Sequence, residues 1–313
     1  MITSLMFRRL RCRLSEGFRR IKRSDRREAI RQFEKRFGYR PRLDKPRTYS
    51  EKLTRFKLEA NRPLYRQLAD KLAVRDFVEK TIGDSYLIPL IASSPRLTKE
   101  LFASLPNRFA IKANHGSAMN HIVFDKADVS FEALKKETDR WLCRNFYLSS
   151  RETQYQQIQP QLVIEQLLLD DSGCVPADYK IHCFSQKGER YTVLQVDSDR
   201  FGTHSRDYFT ADWQWLPLKV KYPNSSEEQC PARPDKLNAL LDCAWALANG
   251  FAYVRVDLYV VKGQIYFGEM TFTPGSGFML FEPRSFDQQW GEWFDLDHQL
   301  SLHTLADLET AKA

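Results

Sequence analysis

The chain has 313 residues, 42% of them hydrophobic, enough for one large or two to three smaller subdomains with their own cores. No apolar run approaches the ~18 residues of a membrane span. The net charge of +8 is unevenly spread: residues 1–48 carry 17 Lys and Arg against 5 Asp and Glu, and the remaining residues carry 31 against 35, so the basic character belongs to the N-terminal arm. Residues 1–6 are too short for a signal-peptide apolar region. The six cysteines are scattered without a C-x-x-C pair and read as reduced thiols of a cytoplasmic protein. The six histidines form no H-E-x-x-H array, which argues against a zinc enzyme.

In residues 1–37, Leu5, Met6, Leu10, Leu14, Phe18, Ile21, Ile30, Phe33 and Phe37 recur at roughly helical spacing with arginines between them. Two readings stand: a basic amphipathic helix against an anionic membrane or acidic polymer, and a helix packed on the body with its arginines in solvent. A nucleic-acid partner is not expected, because the arm carries no recognisable binding fold. Residues 41–58 read as a turn and a helix capped at Thr48 or Ser50. Tyr65 to Lys80 reads as one helix containing Asp70, Lys71 and Arg75, and Tyr86 to Ile91 as a short buried strand.

Phe109 to Lys112 reads as a strand with the lysine at its end, and His121 to Phe124 as a returning strand. The small polar stretch between them, ANHGSAMN, can fold backbone N–H groups over phosphates. It is not the P-loop motif, and a plain hairpin fits these residues equally well. A helix follows over Phe131 to Tyr147, then a strand over Gln161 to Leu167. Asp178 to Phe184 alternates, which puts Asp178, Lys180 and His182 on one face. Arg190 to Val196 is a strand, Asp197 to Gly202 a polar loop, and Ser205 to Phe209 a further strand. Pro231 to Asn249 is a helix ended by Gly250.

Two β-branched and aromatic runs flank Lys262-Gly263 and read as a β-hairpin. It places Asp257 and Glu269 on adjacent strands, close to opposite one another. Like charges there repel unless a cation lies between them, and a divalent ion shared with substrate phosphates is one such cation. Two solvated carboxylates are the plainer reading. Arg255, on the face of Asp257, and the turn Pro274-Gly275-Ser276-Gly277 favour a metal and phosphate site. The order of elements, helices first and then a largely antiparallel sheet backed by a helix, is an α+β pattern.

The blocks KPRTYSEKLTRFKL, NRPLYRQLADKLAVRDFV, FAIKANHGSAMNHIV, DYKIHCF, VDSDRF and RVDLYVVKGQIYFGEMTFTPGSGF occur in this order over about residues 41–296. Together they resemble the ATP-grasp superfamily, and within it the TupA-like branch associated with decoration of cell-surface polysaccharides. The resemblance implies two α/β subdomains clasping ATP behind an N-terminal helical segment. The expected units are the arm 1–40, an N-terminal subdomain 41–105, a subdomain with the phosphate loop 106–165, a subdomain with the metal site 166–297, and a tail 298–313.

By matched position the resemblance also implies residue roles. Lys71 and Lys112 would meet ATP phosphates, with Gly116 and Ser117 in the loop closing over them. Glu165, Gln166 and Leu168 would form the adenine hinge, with backbone groups of Gln166 and Leu168 reading the base edge, and Asp178 would bond the ribose. Asp257, Glu269 and Thr271 would hold Mg²⁺, and Arg255 would steady the transferring phosphoryl group. Lys180, Arg200 and Arg206 would be further phosphate or carboxylate contacts. Thr271 stands where many ATP-grasp enzymes have Asn, and Ala118 where glycine is common. The implied activity is an ATP-dependent carboxylate–amine ligase joining an amino acid to a sugar acid of a surface polysaccharide or its precursor, in the cytoplasm or at the inner membrane face. A sugar kinase, and a non-catalytic partner of a glycosyltransferase complex, are the alternatives.

Overall fold

The computed structural model describes residues 24–198 and 204–311. Residues 1–23 of the arm and Arg200 therefore lie outside the described residues. The described part of the arm is helix α1 (Asp25–Phe37), started by the Ser24 side chain and stopped at Gly38, whose φ is 78°. Ala29, Phe33 and Phe37 are buried, and Arg36 donates to the Phe278 carbonyl at 3.1 Å, so this segment packs on the body. Helix α2 (Tyr49–Glu59) begins with a Thr48/Glu51 capping box.

The helix expected over Tyr65 to Lys80 is two, α3 (Pro63–Ala69) and α4 (Val74–Ile82). The break has a local cause. The Asp70 carboxylate accepts from the Leu72 N–H at 2.9 Å and from the Asn114 side chain at 3.0 Å, and the Lys71 N–H donates to the Asn114 carbonyl at 3.2 Å. Such side-chain-to-backbone bonds compete with helical ones. Here they turn Lys71 out of helical register and staple it to the following hairpin.

Next come β1 (Leu90–Ser94), α5 (Lys99–Ser104), β2 (Phe109–Ala113), β3 (Asn120–Val123), α6 (Phe131–Cys143), α7 (Tyr147–Ser150) and β4 (Leu162–Gln166). The strands form a four-stranded antiparallel sheet in the order β1-β4-β2-β3. The buried strand expected at Tyr86 to Ile91 is instead β1, shifted toward the C-terminus and lying on the sheet edge. Leu90 and Ile91 are exposed there, because an edge strand has a neighbour on one side only. Phe109, Ile111, Leu162 and Ile164 pack under α6 through Leu134 and Trp141.

The second sheet contains β5 (Asp178–Gln186), β6 (Glu189–Ser198), β7 (Ser205–Thr210), β8 (Trp215–Leu216), β10 (Tyr253–Val261) and β11 (Gln264–Thr271), in the order β11-β10-β5-β6-β7-β8. Strand β9 (Lys219–Val220) pairs with β12 (Phe281–Glu282). Helix α8 (Leu237–Ala248) covers one face, and α9 (Ser285–Trp293), α10 (Leu296–Ser301) and α11 (Leu305–Thr310) close the C-terminal end. One core joins α2, α3, α4, α8 and α9 to this sheet. On one face of β10, Tyr253 belongs to an aromatic cluster with Tyr49, Phe184 and Phe294, while Arg255 and Asp257 further along are charged. The same face thus changes from apolar core to polar cleft within two residues.

Lys57 of α2 is fully buried. Its ammonium donates to the Ser276 carbonyl at 2.9 Å and lies 3.8 Å from the Phe278 ring centroid. Burial pulls its pKa down to about 7, with Glu152 pulling back only in part. Between pH 7 and the ordinary lysine value the unfolded chain binds a proton that the native state does not, so stability rises with pH in that window. Urea unfolding from pH 7 to 9.5 should show a slope larger in the wild type than in Lys57→Met, by up to about 1.4 kcal/mol per pH unit. Equal slopes would exclude a neutral buried Lys57.

Candidate active site

The hairpin β10–β11 turns at Lys262 and Gly263, with φ of 51° and 76°. Two successive positive φ values are what a tight two-residue hairpin turn needs. From it the pairing runs Val261 with Gln264, Val260 with Ile265, Tyr259 with Tyr266 and Leu258 with Phe267. Continued without interruption it would set Asp257 opposite Gly268 and turn Glu269 to the far face. A register shift intervenes, and Asp257 pairs with Glu269. Gly268 is the extra residue of this bulge. A Cβ there would lie 2.9 Å from the Tyr259 ring and 3.0 Å from the Asp257 carbonyl, so only glycine fits without displacing them.

Arg255 binds the pair. Its Nε and Nη2 lie 2.6 and 2.7 Å from the two oxygens of Asp257, and Nη2 lies 3.0 Å from Glu269 Oε1 and 3.1 Å from Thr271 Oγ1. Thr271 in turn donates to Glu269 at 3.0 Å. On the other side Lys180 of β5, Asp257's register partner, reaches Asp257 at 2.9 Å and also bonds Asp178. Lys71 comes from the α3–α4 turn to 3.6 Å from Glu269 and donates to the Gly116 carbonyl at 2.8 Å. Burial pushes the Glu269 carboxyl up, but Lys71, Arg255 and Lys180 outweigh it and hold it at about 2. Asp257 is pushed up by its burial, with Arg255 and Lys180 pulling it back.

Lys71, Lys112, Gly116, Ser117, Asp178, Lys180, Arg255, Asp257 and Glu269 all line one cavity of about 440 Å³. The β2–β3 loop closes one wall. Its Gly116 has no room for a Cβ, which would fall 2.6 Å from Met119 and 2.7 Å from Phe146. Ala118 adopts φ 56°, a conformation that favours glycine. A second, more apolar space of about 200 Å³ is lined by Ile88, Ala110, Ile122, Val175 and Pro176 together with Glu165 to Leu168. Lys112, Asn120 and Tyr259 line both spaces, so the two adjoin. Lys112 is fixed at that junction by Glu165 at 2.7 Å, itself held by Arg75 at 3.1 Å. The Gln166 N–H donates to the Pro89 carbonyl at 3.0 Å, which takes it out of the groups able to read a ligand's edge.

Sequence reasoning missed part of this cavity. Asp197 lies within strand β6, one residue before its end, instead of opening a loop, and it lines the cavity with His204, Lys221 and Tyr222. The period-2 spacing of Gln195 and Asp197 is a signal that could have found the first. Nothing in the local sequence marks Lys221 and Tyr222.

Two hard oxygen acids at one register position fit a magnesium ion, which is commonly held by one or two carboxylates and completed by water and substrate phosphates. Among the described residues no three His, Cys, Asp or Glu side chains converge as a self-sufficient cage. Removing one partner of a buried ion pair costs several kcal/mol because a charge is stranded. Arg255→Met should therefore lower the unfolding free energy by about 3 kcal/mol, and adding Asp257→Leu should restore part of it. Urea denaturation of the two single variants and the double variant checks this, and strictly additive losses would refute it.

Among solved structures the chain is similar to purK, N5-carboxyaminoimidazole ribonucleotide synthetase, in its ADP complex (11% identity, 66% of this chain and 45% of that one, TM-score 0.37). It is also similar to D-alanine–D-alanine ligase from Helicobacter pylori (15%, 75% and 60%, TM-score 0.40) and to L-amino acid ligase from Bacillus licheniformis (15%, 67% and 42%, TM-score 0.37). The chain spans less than two thirds of the length of each of these three proteins. No curated protein matches it. The model of the TupA-like ATPgrasp family matches residues 51–295. The chain belongs to the TupA-like ATP-grasp family, and its α+β architecture is the ATP-grasp fold.

Proposed function

We propose that this protein is an ATP-dependent ligase that activates a carboxylate as its acylphosphate and joins it to an amine. The observation that carries this reading is the adjoining pair of spaces: an apolar slot of base size opening onto a cation-lined cavity that ends at paired acids. A nucleotide lying across the shared wall would place its base against residues 165–168 and its phosphates toward Lys112, Lys71 and Arg255.

A carboxylate resists attack by an amine because its carbonyl carbon is electron-rich. Its oxygen attacks the γ-phosphorus, the bond to the β-phosphate oxygen breaks, and ADP leaves. The amine nitrogen then attacks the acyl carbon, the carbon–oxygen bond to phosphate breaks, and the amine's proton is lost to phosphate or solvent. The protein must hold these groups in line and neutralise developing charge. Lys71 and Lys112 would draw phosphate oxygens to the loop side, and Arg255 would stabilise charge at the transferring group. Asp257 and Glu269 would hold magnesium, with the Thr271 hydroxyl orienting Glu269, and the ion would neutralise phosphate charge. The β2–β3 loop would keep water from the acylphosphate.

The finer identity of the substrates is suggested by the resemblance to the TupA-like branch, which is associated with decoration of cell-surface polysaccharides. An amino acid and a sugar acid of a surface polysaccharide are the proposed pair, and the basic arm, with 17 Lys and Arg in residues 1–48, suits an acidic glycan or the anionic inner face of a membrane. Among the described residues no helix is long and apolar enough to cross a membrane.

The test is ADP release from Mg²⁺-ATP across a panel of amino acids and uronic acids, singly and in pairs. ADP only when both are present is the expected result; ADP with a sugar alone would identify a kinase. Asp257→Asn and Glu269→Gln should each lower kcat/KM by about 100-fold or more. A chain that binds no ATP would be a non-catalytic partner. Gly116→Val should weaken ATP binding by about tenfold through the displaced loop and Lys71, measured by calorimetry.

A further inference from the structure

One corner of the cavity is not used by this mechanism. Asp197, 3% exposed, accepts from Arg206 Nε at 2.6 Å, from Gln195 Nε2 at 2.9 Å, and bonds His204 Nε2 at 3.1 Å. Gln195 is itself buried and lies 3.4 Å from His182, which bonds the Tyr253 hydroxyl at 2.9 Å. A chain of buried polar groups thus runs from the aromatic core to the cavity and fixes Asp197. Burial works against ionisation of Asp197, but Arg206 and Lys180 overcome it and hold the carboxyl well below the usual range.

Around Tyr222 three basic side chains gather. His204 stacks on its ring at 3.8 Å between centroids, and Arg206 and Lys221 lie 4.9 and 4.6 Å from it. The loop that carries Tyr222 is tied to β7: Arg206 N–H donates to the Pro223 carbonyl at 2.9 Å and Asn224 Nδ2 to the Arg206 carbonyl at 2.9 Å. Lys221 holds φ 68° in a three-residue turn closed by the Tyr222 N–H on the Val220 carbonyl at 2.8 Å. A lysine at positive φ is a strained choice, and such strain collects where ligands are clamped. Among the described residues Lys221 has no ion-pair partner, and Asp197 is already shared by several donors. The corner therefore carries surplus positive charge, with His204, Arg206 and Tyr222 half-buried and Lys221 exposed at its rim. Lys180 ties it to the reacting end, lying 2.9 Å from Asp257 and 3.9 Å from Asp197.

We propose that the corner of His204, Arg206, Lys221 and Tyr222 recognises the carboxylate of the acid that the enzyme activates, apart from the phosphates of the nucleotide. This rests on the ligase reading above and assigns its acid subsite. A carboxylate seated there lies one lysine away from the paired acids, where phosphoryl transfer would occur. Arg206 provides the planar donors and Tyr222 is the positioning residue that gathers the cations around one ring.

Calorimetry with the wild type, Arg206→Gln, Arg206→Lys and Tyr222→Leu tests it, using D-glucuronate, D-glucose 6-phosphate and L-glutamate as probes on protein with Mg²⁺ and a non-hydrolysable ATP analogue. D-Glucuronate or L-glutamate should bind the wild type and weaken about tenfold or more in Arg206→Gln and Tyr222→Leu, with Arg206→Lys between. The analogue's own Kd should change less than about twofold, which also shows that the variants are folded. In turnover, KM for the acid should rise while KM for ATP holds. Equal weakening of the analogue would assign the corner to the triphosphate and overturn the proposal. Binding of D-glucose 6-phosphate alone, or of no probe by wild type that binds the analogue, would overturn it too. Wild type that binds a carboxylate probe but no nucleotide would remove the ligase reading and keep the corner.

Discussion

The site depends on one guanidinium. Arg255 meets both oxygens of Asp257 and one of Glu269, and without it two acids, one of them buried, would face each other across a pair of strands. Its geometry is planar and its charge permanent, so it can bind one acid with two nitrogens and still bridge to the next. Lys180 and Lys71 extend the same pattern to either side. The result is an alternation of charges across β11, β10 and β5 in which Asp257, although buried, has several partners. The polar cleft and the aromatic core share one sheet face because that lattice satisfies the charged half of it.

Much of this was legible in the sequence because it is local. Lys262-Gly263 between two β-branched runs gives the hairpin, and alternation gives Arg255 and Asp257 a common face. The strand–loop–strand over Phe109 to Phe124 follows from the same signals, and the order of the blocks points to the family. What alternation does not give is the register on β11. Counting from the turn sets Glu269 on the wrong face, and the expectation that the acids meet is met only through Gly268, a glycine inside a strand whose meaning as a bulge depends on Tyr259 across the hairpin.

The parts that were not legible depend on residues far apart in the chain. Helical periodicity runs through Asp70 and Lys71, yet Asn114 breaks it from 44 residues away. Asp197 reads as loop because a polar residue near the end of a strand has the same composition whether it faces solvent or a cleft. Lys221 and Tyr222 gain their surroundings from β7 and the cavity, not from their neighbours in sequence. The edge strand at Leu90 and Ile91 shows the same limit: an apolar run says strand, and only the topology says which side of the sheet it occupies.

Lys71 is anchored in the α3–α4 turn, yet its ammonium rests on the Gly116 carbonyl and beside the Glu269 carboxylate. One side chain therefore belongs to three parts of the molecule at once. Any anion that claims that ammonium competes with both the loop carbonyl and the acid. On the proposed reading, filling the cleft would therefore loosen the tie between the loop and the acid.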